Sequence, residues 1–207
     1  MNGYYINLSH RVDRKENIES LKVKYPFFSN IKRMNAIKHT RGDIGCSLSH
    51  IVCLTELLKR NEDHYMVIED DLIIFDDNNF KEFIIHFEEI KTNDDWDLIT
   101  LTPRGNTIQK YYIKGFNRII NNQTTTGYIV KHSFIKKLIE YYKIGVEGLM
   151  RNKDPNTHAL DQCWKPLQEK SNFIYFNKIY GGQQEGYSDI EKKNVNYNER
   201  FLSQNEY

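Results

Sequence analysis

The feature that most constrains the fold is a short apolar run that ends abruptly in three acids. Residues 65–68 (YMVI) are apolar at every position, and Glu69, Asp70 and Asp71 follow directly. A continuous apolar run of this length is typical of a parallel-sheet strand that is covered on both faces. Similar runs of strand length alternate with stretches of helical periodicity along the rest of the chain. The alternation predicts an α/β domain with a mostly parallel sheet flanked by helices.

The other predicted elements follow from the same two periodicities. Strands are expected at residues 4–7, 31–37, 96–101, 126–130 and 173–176, and the Asn-rich stretch 117–123 is expected to be a polar connection. Helices are expected within residues 18–25, 44–60, 80–87, 133–142 and 160–167. Because Gly145, Gly148 and Pro155 fall within residues 144–157, that segment is predicted to be a loop.

Composition excludes several classes of partner. Lys and Arg number 29 against 28 Asp and Glu, so the net charge is +1, which argues against nucleic acid or an anionic membrane as the partner. No apolar run approaches the ~20 residues that a membrane span needs. Three cysteines without a CxxC pair are expected to be free thiols in a reducing compartment. We therefore expect a cytoplasmic protein with one domain over residues 1–190 and a polar tail over residues 191–207, with no integral membrane segment.

The three acids are the sharpest candidate site. The carboxyl ends of strands in an open α/β sheet border the ligand crevice. Alternation along the strand predicts that Glu69 and Asp71 face one way and Asp70 the other. Three carboxylates at the edge of a core repel one another, and a hard cation such as Mn²⁺ or Mg²⁺ would relieve that cost. A solvated acidic turn or a helix cap is the alternative.

A basic segment follows the first predicted strand. Asn7 and Leu8 are followed by Arg11 and Arg14, which lie three apart and so share one side of a helical turn. Beside a helix N-terminus this pair suits an anionic or nucleotide ligand. The alternative is an exposed basic turn paired with neighbouring acids.

A glycine-containing segment opens the long predicted helix at residues 41–50 (RGDIGCSLSH). Gly42 and Gly45 allow close approach of another part of the molecule to the backbone. His50, on the same helix, is more often a satisfied core histidine than a ligand.

Together these segments resemble glycosyltransferase family 25, which includes lipopolysaccharide glycosyltransferases and procollagen galactosyltransferase-like proteins. The resemblance is carried by YINL at 5–8 with Arg11 and Arg14, by GCSLSH at 45–50 and by VIEDD at 67–71. Looser matches are TGYIV at 126–130, Asp161 and the segment around Gln184. Asp43 stands where the family usually has Glu.

The resemblance implies a GT-A-like, Rossmann-type domain that uses Mn²⁺ or Mg²⁺. It also implies that a hexose, galactose or glucose, moves with inversion from a UDP-sugar donor to a hydroxyl of a glycan or glycosylated peptide acceptor. Asp71 and Glu69 would hold the metal, with Glu69 or Asp70 on the metal or the ribose. Asn7, Leu8, Arg11 and Arg14 would border the uridine or diphosphate, and Thr126 and Gly127 the sugar. The general base would be Asp161, with Asp43 in reserve.

Some alternatives stay open on sequence alone. Asp161 could be a helix-surface acid, and Gly127 could serve only a bend. The whole domain could be a catalytically silent nucleotide- or glycan-binding module, since fold does not fix function. A metal-dependent phosphoryl-transfer enzyme or hydrolase is disfavoured, because the chain has no GxxxxGK[ST] loop and no His-rich metal cluster.

Overall fold

The structure is a computed structural model that describes residues 1–188, 190 and 192–197. Much of the predicted polar tail, residues 191 and 198–207, lies outside the described residues. The part of the tail that is described includes a strand, so it is not uniformly irregular. The domain boundary at residue 190 stays a prediction.

Strands and helices alternate through the first half of the chain, as expected. The strands are β1 (Gly3–Asn7), β2 (Ile31–Asn35), β3 (His64–Glu69), β4 (Leu72–Ile74), β5 (Leu98–Thr100), β6 (Asn106–Ile113), β7 (Phe116–Ile120), β8 (Gly127–Lys131), β9 (Phe173–Phe176), β10 (Gly181–Gln183), β11 (Gly186–Ser188) and β12 (Lys193–Val195). The helices are α1 (Val12–Lys24), α2 (Gly42–Leu57), α3 (Asp77–Ile90), α4 (His132–Met150), α5 (Pro155–His158), α6 (Leu160–Cys163) and α7 (Lys165–Gln168).

Eight strands form the central sheet in the order β2-β1-β3-β8-β5-β9-β7-β6. β8 and β7 are antiparallel to both of their neighbours, so the other six strands point in one direction. The α/β class and the mostly parallel sheet are therefore confirmed. Two small antiparallel pairs, β4 with β10 and β11 with β12, lie outside this sheet.

The sheet separates two apolar layers. Met66 and Ile68 of β3 pack with α1 and α3, whereas Tyr65 and Val67 pack with α2 and α4. Because strand side chains alternate, Glu69 continues the second series and faces α2. The strand that carries the acids is thus buried on both faces, as its composition predicts.

The predicted loop over residues 144–157 is wrong, because α4 continues to Met150. A Cβ at Gly145 would lie 2.7 Å from Cys163 Sγ and from the His158 carbonyl oxygen. Glycine here serves close packing of a helix rather than a turn, and only α5 and its flanks keep the expected irregularity.

The predicted polar connection at residues 117–123 is also wrong, because β7 occupies its first part. Asn117 is only 8 % exposed; its side-chain oxygen accepts from the Tyr111 amide, and its Nδ2 donates to the Tyr175 hydroxyl. A buried, hydrogen-bonded asparagine hides the strand pattern. In the described part of the chain, no helix is both long and apolar enough to cross a membrane.

Candidate active site

The carboxyl ends of β1 and β3 meet through a buried side-chain contact. Asn7 Nδ2 donates to Asp70 Oδ2 (2.7 Å) and to the Arg11 carbonyl oxygen (3.0 Å), and its Oδ1 accepts from Arg33 Nε (2.8 Å). Asn7 is 1 % exposed and lies behind the site rather than in its wall. It therefore orients Asp70 instead of facing a ligand.

Arg14 joins the two aspartates. Its Nη1 lies 3.2 Å from Asp70 Oδ1 and 3.2 Å from Asp71 Oδ2. The predicted alternation of the three acids is wrong here, because β3 ends at Glu69 and Asp70 and Asp71 lie in a turn. The turn lets both aspartates reach the same guanidinium.

Asp71 is the most strongly perturbed of the acids. Gln183 Nε2 donates to its Oδ2 (2.9 Å), while Oδ1 is buried and has no hydrogen-bond partner among the described residues. Burial, reinforced by the charge of Glu69, raises the pKa of Asp71 to about 7. Burial likewise raises the pKa of Asp70, although Asn7 and Arg14 oppose it. A buried carboxylate oxygen without a donor is a ready ligand for a hard cation.

Glu69 is held from the other side. Its Oε1 accepts from the Thr125 hydroxyl (2.8 Å) and lies 3.4 Å from His50 Nε2. Burial acts to raise the pKa of Glu69, but the neighbouring His50 and Thr125 outweigh it and the pKa is lowered. Glu69 therefore stays ionised more readily than Asp71.

A cavity of about 250 Å³ opens beside these acids. One part of its wall is apolar and is formed by Ile6, Leu8, Ala36 and Ile37. Another part is charged and is formed by Arg11, Arg14, Glu69, Asp70 and Asp71. We call this space the first cavity. Its walls suit a ligand with a flat, weakly polar part and an anionic part.

A second cavity, of about 220 Å³, lies next to the first. Asp43, Thr126 and Asp161 line it, and Cys46, Glu69 and Gln183 line both cavities. The two spaces thus share a wall at the end of β3. A ligand in one cavity would lie close to a ligand in the other.

The two candidate bases differ in environment. Burial raises the pKa of Asp161 to about 6, and the charge of Glu69 adds to the effect. Asp43 is instead paired with Arg41 Nη2 (2.6 Å) and accepts from the Ile44 amide (2.9 Å). Asp161 is therefore better suited to accept a proton near neutral pH.

The pair β11–β12 adjoins the first cavity. Arg11 Nη1 and Arg14 Nη2 donate to the Tyr187 carbonyl oxygen (3.1 and 3.0 Å), and Ser188 and Val195 contribute to the cavity wall. Residues more than 170 positions apart along the chain thus build one side of the site.

The sequence profile of glycosyltransferase family 25, described as a family of LPS biosynthesis proteins, matches residues 1–164. The chain belongs to glycosyltransferase family 25. No curated protein matches it in sequence.

Among solved structures, this family 25 chain is similar to a glycosyltransferase involved in the glycosylation of the major capsid of PBCV-1. The TM-score is 0.55 at 12 % identity, over 97 % of this chain and 96 % of that chain. The similarity to a UDP-glucose pyrophosphorylase from Acinetobacter baumanii is lower, with a TM-score of 0.45 at 10 % identity over 84 % and 69 % of the two chains. At 12 % identity the first similarity shows a shared fold.

Of the site residues that the resemblance implies, all but Asn7 and Gly127 line one of the two cavities, and Asn7 lies behind the acids instead of bordering a ligand. Arg11, Arg14 and the three acids border the first cavity, and Thr126 lines the second. Gly127 is in neither wall: a Cβ there would lie 3.1 Å from Leu101 Cδ1 and 3.3 Å from Ile68 Cγ2. Gly127 therefore serves close packing inside the sheet at the start of β8, which is neither the sugar contact nor the bend considered from the sequence.

Three residues of the site are missed or misjudged from the sequence. Gln183 and Thr125 hold Asp71 and Glu69, and neither stands out in composition or spacing. His50 is fully buried, as the core interpretation predicts, yet it also lies beside Glu69. The sequence signals this contact with Glu69 only through the GCSLSH segment, which lies on the helix directly before the strand that ends in the acids.

Proposed function

We propose that this chain moves a hexose, galactose or glucose, from a UDP-sugar to a hydroxyl of a glycan or glycosylated peptide, with inversion and with a divalent cation. The observation that carries the proposal is Asp71 Oδ1, a buried carboxylate oxygen with no hydrogen-bond partner among the described residues, in the wall of a cavity that Arg11 and Arg14 also line. A carboxylate that could bind the cation and two arginines that could bind the diphosphate thus lie side by side.

The donor set fits Mn²⁺ or Mg²⁺. Asp71 and Glu69 would hold the ion through carboxylate oxygens, the ligands that such hard cations prefer. When bound, the cation supplies Lewis-acid neutralisation of charge on the departing UDP. Arg14 and Gln183 fix Asp71 through its Oδ2, so that Oδ1 keeps one orientation.

The first cavity matches the parts of a sugar nucleotide. Its apolar wall at Leu8 and Ile37 suits the uracil and ribose, and its arginines suit the diphosphate. Arg11 and Arg14 stand beside the N-terminus of α1, whose unpaired amides add positive potential. The hexose would then lie toward the wall that the two cavities share.

The second cavity supports one-step displacement. An acceptor hydroxyl there would approach the hexose from the side opposite the departing diphosphate, which is the geometry of inversion. Asp161 lines this cavity and would take the hydroxyl proton, a role that its raised pKa suits. Thr126 borders the same space and would help to position the sugar.

The test measures ligand binding and transfer on the same preparations. Mn²⁺ with UDP is expected to raise the thermal midpoint of the wild-type protein, and UDP-galactose or UDP-glucose to release UDP when a glycan or glycopeptide panel is added. Asp71→Asn is expected to lose both responses while keeping its circular dichroism spectrum. Asp95→Asn, at an exposed turn, is the matched control and keeps both.

Absence of a UDP-dependent shift at millimolar UDP and Mn²⁺ in the wild type would refute the nucleotide-sugar proposal. Full transfer activity in Asp71→Asn would refute the metal assignment. Binding of UDP without transfer from either donor to any acceptor would indicate a silent binding module instead.

A further inference from the structure

One group of potential ligands at the site differs in chemistry from the acids. Cys46 and His50 lie one turn apart on α2 and face Glu69 at the end of β3. One donor atom from each of the three residues lies within 4.8 Å of the others. The group combines a sulfur, an imidazole nitrogen and a carboxylate oxygen.

His50 supplies a second, independent observation. The side chain is fully buried, and its Nε2 has no hydrogen-bond partner among the described residues. Glu69 Oε1 lies 3.4 Å from that nitrogen, but in poor alignment for a hydrogen bond. A buried ring nitrogen that makes no hydrogen bond is costly unless something binds it.

The remaining atoms of the two residues are already oriented. His50 Nδ1 lies 3.0 Å from the hydroxyl of the buried Tyr128, and Thr125 donates to Glu69. Metal-binding histidines and carboxylates usually have such partners, which fix the ring and the carboxylate in place. His50 Nε2 is thereby directed toward Cys46 and Glu69.

We propose that Cys46, His50 and Glu69 form a zinc site, separate in donor chemistry from the Mn²⁺ or Mg²⁺ site. Zn²⁺ accepts sulfur, nitrogen and oxygen ligands together, whereas Mn²⁺ and Mg²⁺ favour oxygen alone. Three protein ligands leave a fourth tetrahedral position for water. On binding, the Cys46 S–H bond breaks, the sulfur binds the ion and the proton passes to the buffer.

The spacing is within reach of zinc geometry. An ion at the centre of a triangle with 4.8 Å sides lies about 2.8 Å from each corner, against about 2.0–2.3 Å for Zn–N, Zn–O and Zn–S bonds. Each donor atom therefore has to close by less than about 1 Å. Rotation of the Cys46 side chain, with a small shift of Glu69 that keeps its Thr125 hydrogen bond, can supply this movement.

The position of the site gives it a consequence for transfer. Cys46 and Glu69 line both cavities, so the ion would stand where they meet. Glu69 is also a proposed ligand of Mn²⁺ or Mg²⁺, and its carboxylate cannot serve both ions completely. Zn²⁺ bound to it would therefore inhibit sugar transfer. This consequence rests on the proposed function; the binding of zinc does not.

Cobalt(II) provides a direct test, because a cobalt–thiolate bond absorbs strongly in the near ultraviolet. Metal-free protein under reducing conditions is titrated with Co²⁺ and then with Zn²⁺. One equivalent of Co²⁺ is expected to produce the thiolate band, and Zn²⁺ to remove it. Cys46→Ala should lose the band and weaken zinc binding at least about 100-fold, since even partners outside a ligand set are worth 10- to 100-fold.

Cys53→Ala is the matched control, two turns further along the same helix and outside the group. It should keep the thiolate band. No thiolate band in the wild type, or a band that survives Cys46→Ala, would overturn the proposal. His50→Gln, which leaves the thiol in place, should weaken the band and supplies a second variant if Cys46→Ala does not fold.

The two proposals fail in different ways. Asp71→Asn should keep the cobalt–thiolate band, because Asp71 is not one of the three donors. The same variant should lose the Mn²⁺–UDP response. A protein that binds cobalt through Cys46 but never binds UDP would refute the proposed function and leave the zinc site standing.

Discussion

Asn7 at the end of β1 donates a 2.7 Å hydrogen bond to Asp70. Both residues are buried, with Asn7 1 % and Asp70 7 % exposed. The bond connects two neighbouring strands at the point where the site begins. Without this donor, Asp70 would keep its full desolvation cost and lose one of the groups that compensate it, the other being Arg14.

Asn7→Ala should therefore lower the free energy of unfolding by about 1–3 kcal/mol, the usual cost of an unsatisfied buried polar group. Urea unfolding followed by circular dichroism measures the change. Asn35→Ala is the matched control, since Asn35 pairs with Asn7 in register on β2 but is exposed. A change of less than about 0.5 kcal/mol is expected there. Equal effects at both positions would contradict the role given to Asn7.

The pH dependence of transfer should identify the base. Because the pKa of Asp161 is raised to about 6, the ionised form that can accept a proton accumulates as the pH rises through 6. The value of kcat/KM should therefore rise from pH 5 to about 7 and then level off. Asp161→Asn should reduce the rate by about 10²–10⁴-fold, the usual contribution of a general base.

Asp43→Asn separates the two candidate bases. Asp43 is already paired with Arg41, so its loss should reduce the rate much less than the loss of Asp161. A larger loss in Asp43→Asn, with the rise near pH 6 retained in Asp161→Asn, would assign the base to Asp43.

The contribution of Asp71 to the stability of the metal-free protein should fall as the pH rises from about 4 to about 7. The pKa of Asp71 is about 7 in the folded protein and near 3.8 when unfolded, so the folded state binds more protons across this window. Each further unit of pH therefore favours unfolding until Asp71 is ionised in both states. In EDTA, this group should make the thermal midpoint lower at pH 7.5 than at pH 5.

Comparison with Asp71→Asn isolates that contribution from the other titrating groups. The variant should gain stability relative to the wild type at pH 7.5 and little at pH 4.5. Asp95→Asn, an exposed acid, should follow the wild-type profile. A wild-type and Asp71→Asn difference that does not depend on pH would rule out the raised pKa.

Gly145→Ala should destabilise the protein although alanine favours a helix more than glycine does. The added methyl would lie 2.7 Å from Cys163 Sγ and the His158 carbonyl oxygen, and such overpacking costs about 1–3 kcal/mol. Glu147→Ala, on the exposed side of α4, should change stability by less than about 0.5 kcal/mol. A stabilised Gly145→Ala protein would show that α4 and α6 pack less closely than described.

Local patterns predicted the parts of the site that depend on one strand or one turn. The apolar run that places Glu69 at the end of a strand, and the three-residue spacing of Arg11 and Arg14, are both local patterns. Glu69, Arg11 and Arg14 all border the first cavity. The alternation failed at Asp71 because the strand ends one residue after Ile68. The cytoplasmic location stays a prediction.

Long-range partners could not be predicted in the same way. Gln183 bonds Asp71 across 112 positions, and no pattern in one sequence connects a single glutamine to a distant acid. Gly145 and Gly148 were expected to break α4, because glycine that allows a turn and glycine that allows close helix packing look alike in sequence. Tertiary packing decides between them.

The late position of β9 in the chain has a consequence for how the protein is made. β9 lies between β5 and β7 in the sheet, although β7 precedes it in sequence. On the ribosome, the β6–β7 hairpin emerges before the strand that joins it to the rest of the sheet. The edge of β5 is left uncovered for the whole time that the stretch from Thr100 to Phe173 is being translated, and open edges of this kind invite aggregation. The rate of translation through that stretch should thus change the yield of folded protein, while leaving the stability of the folded protein unchanged.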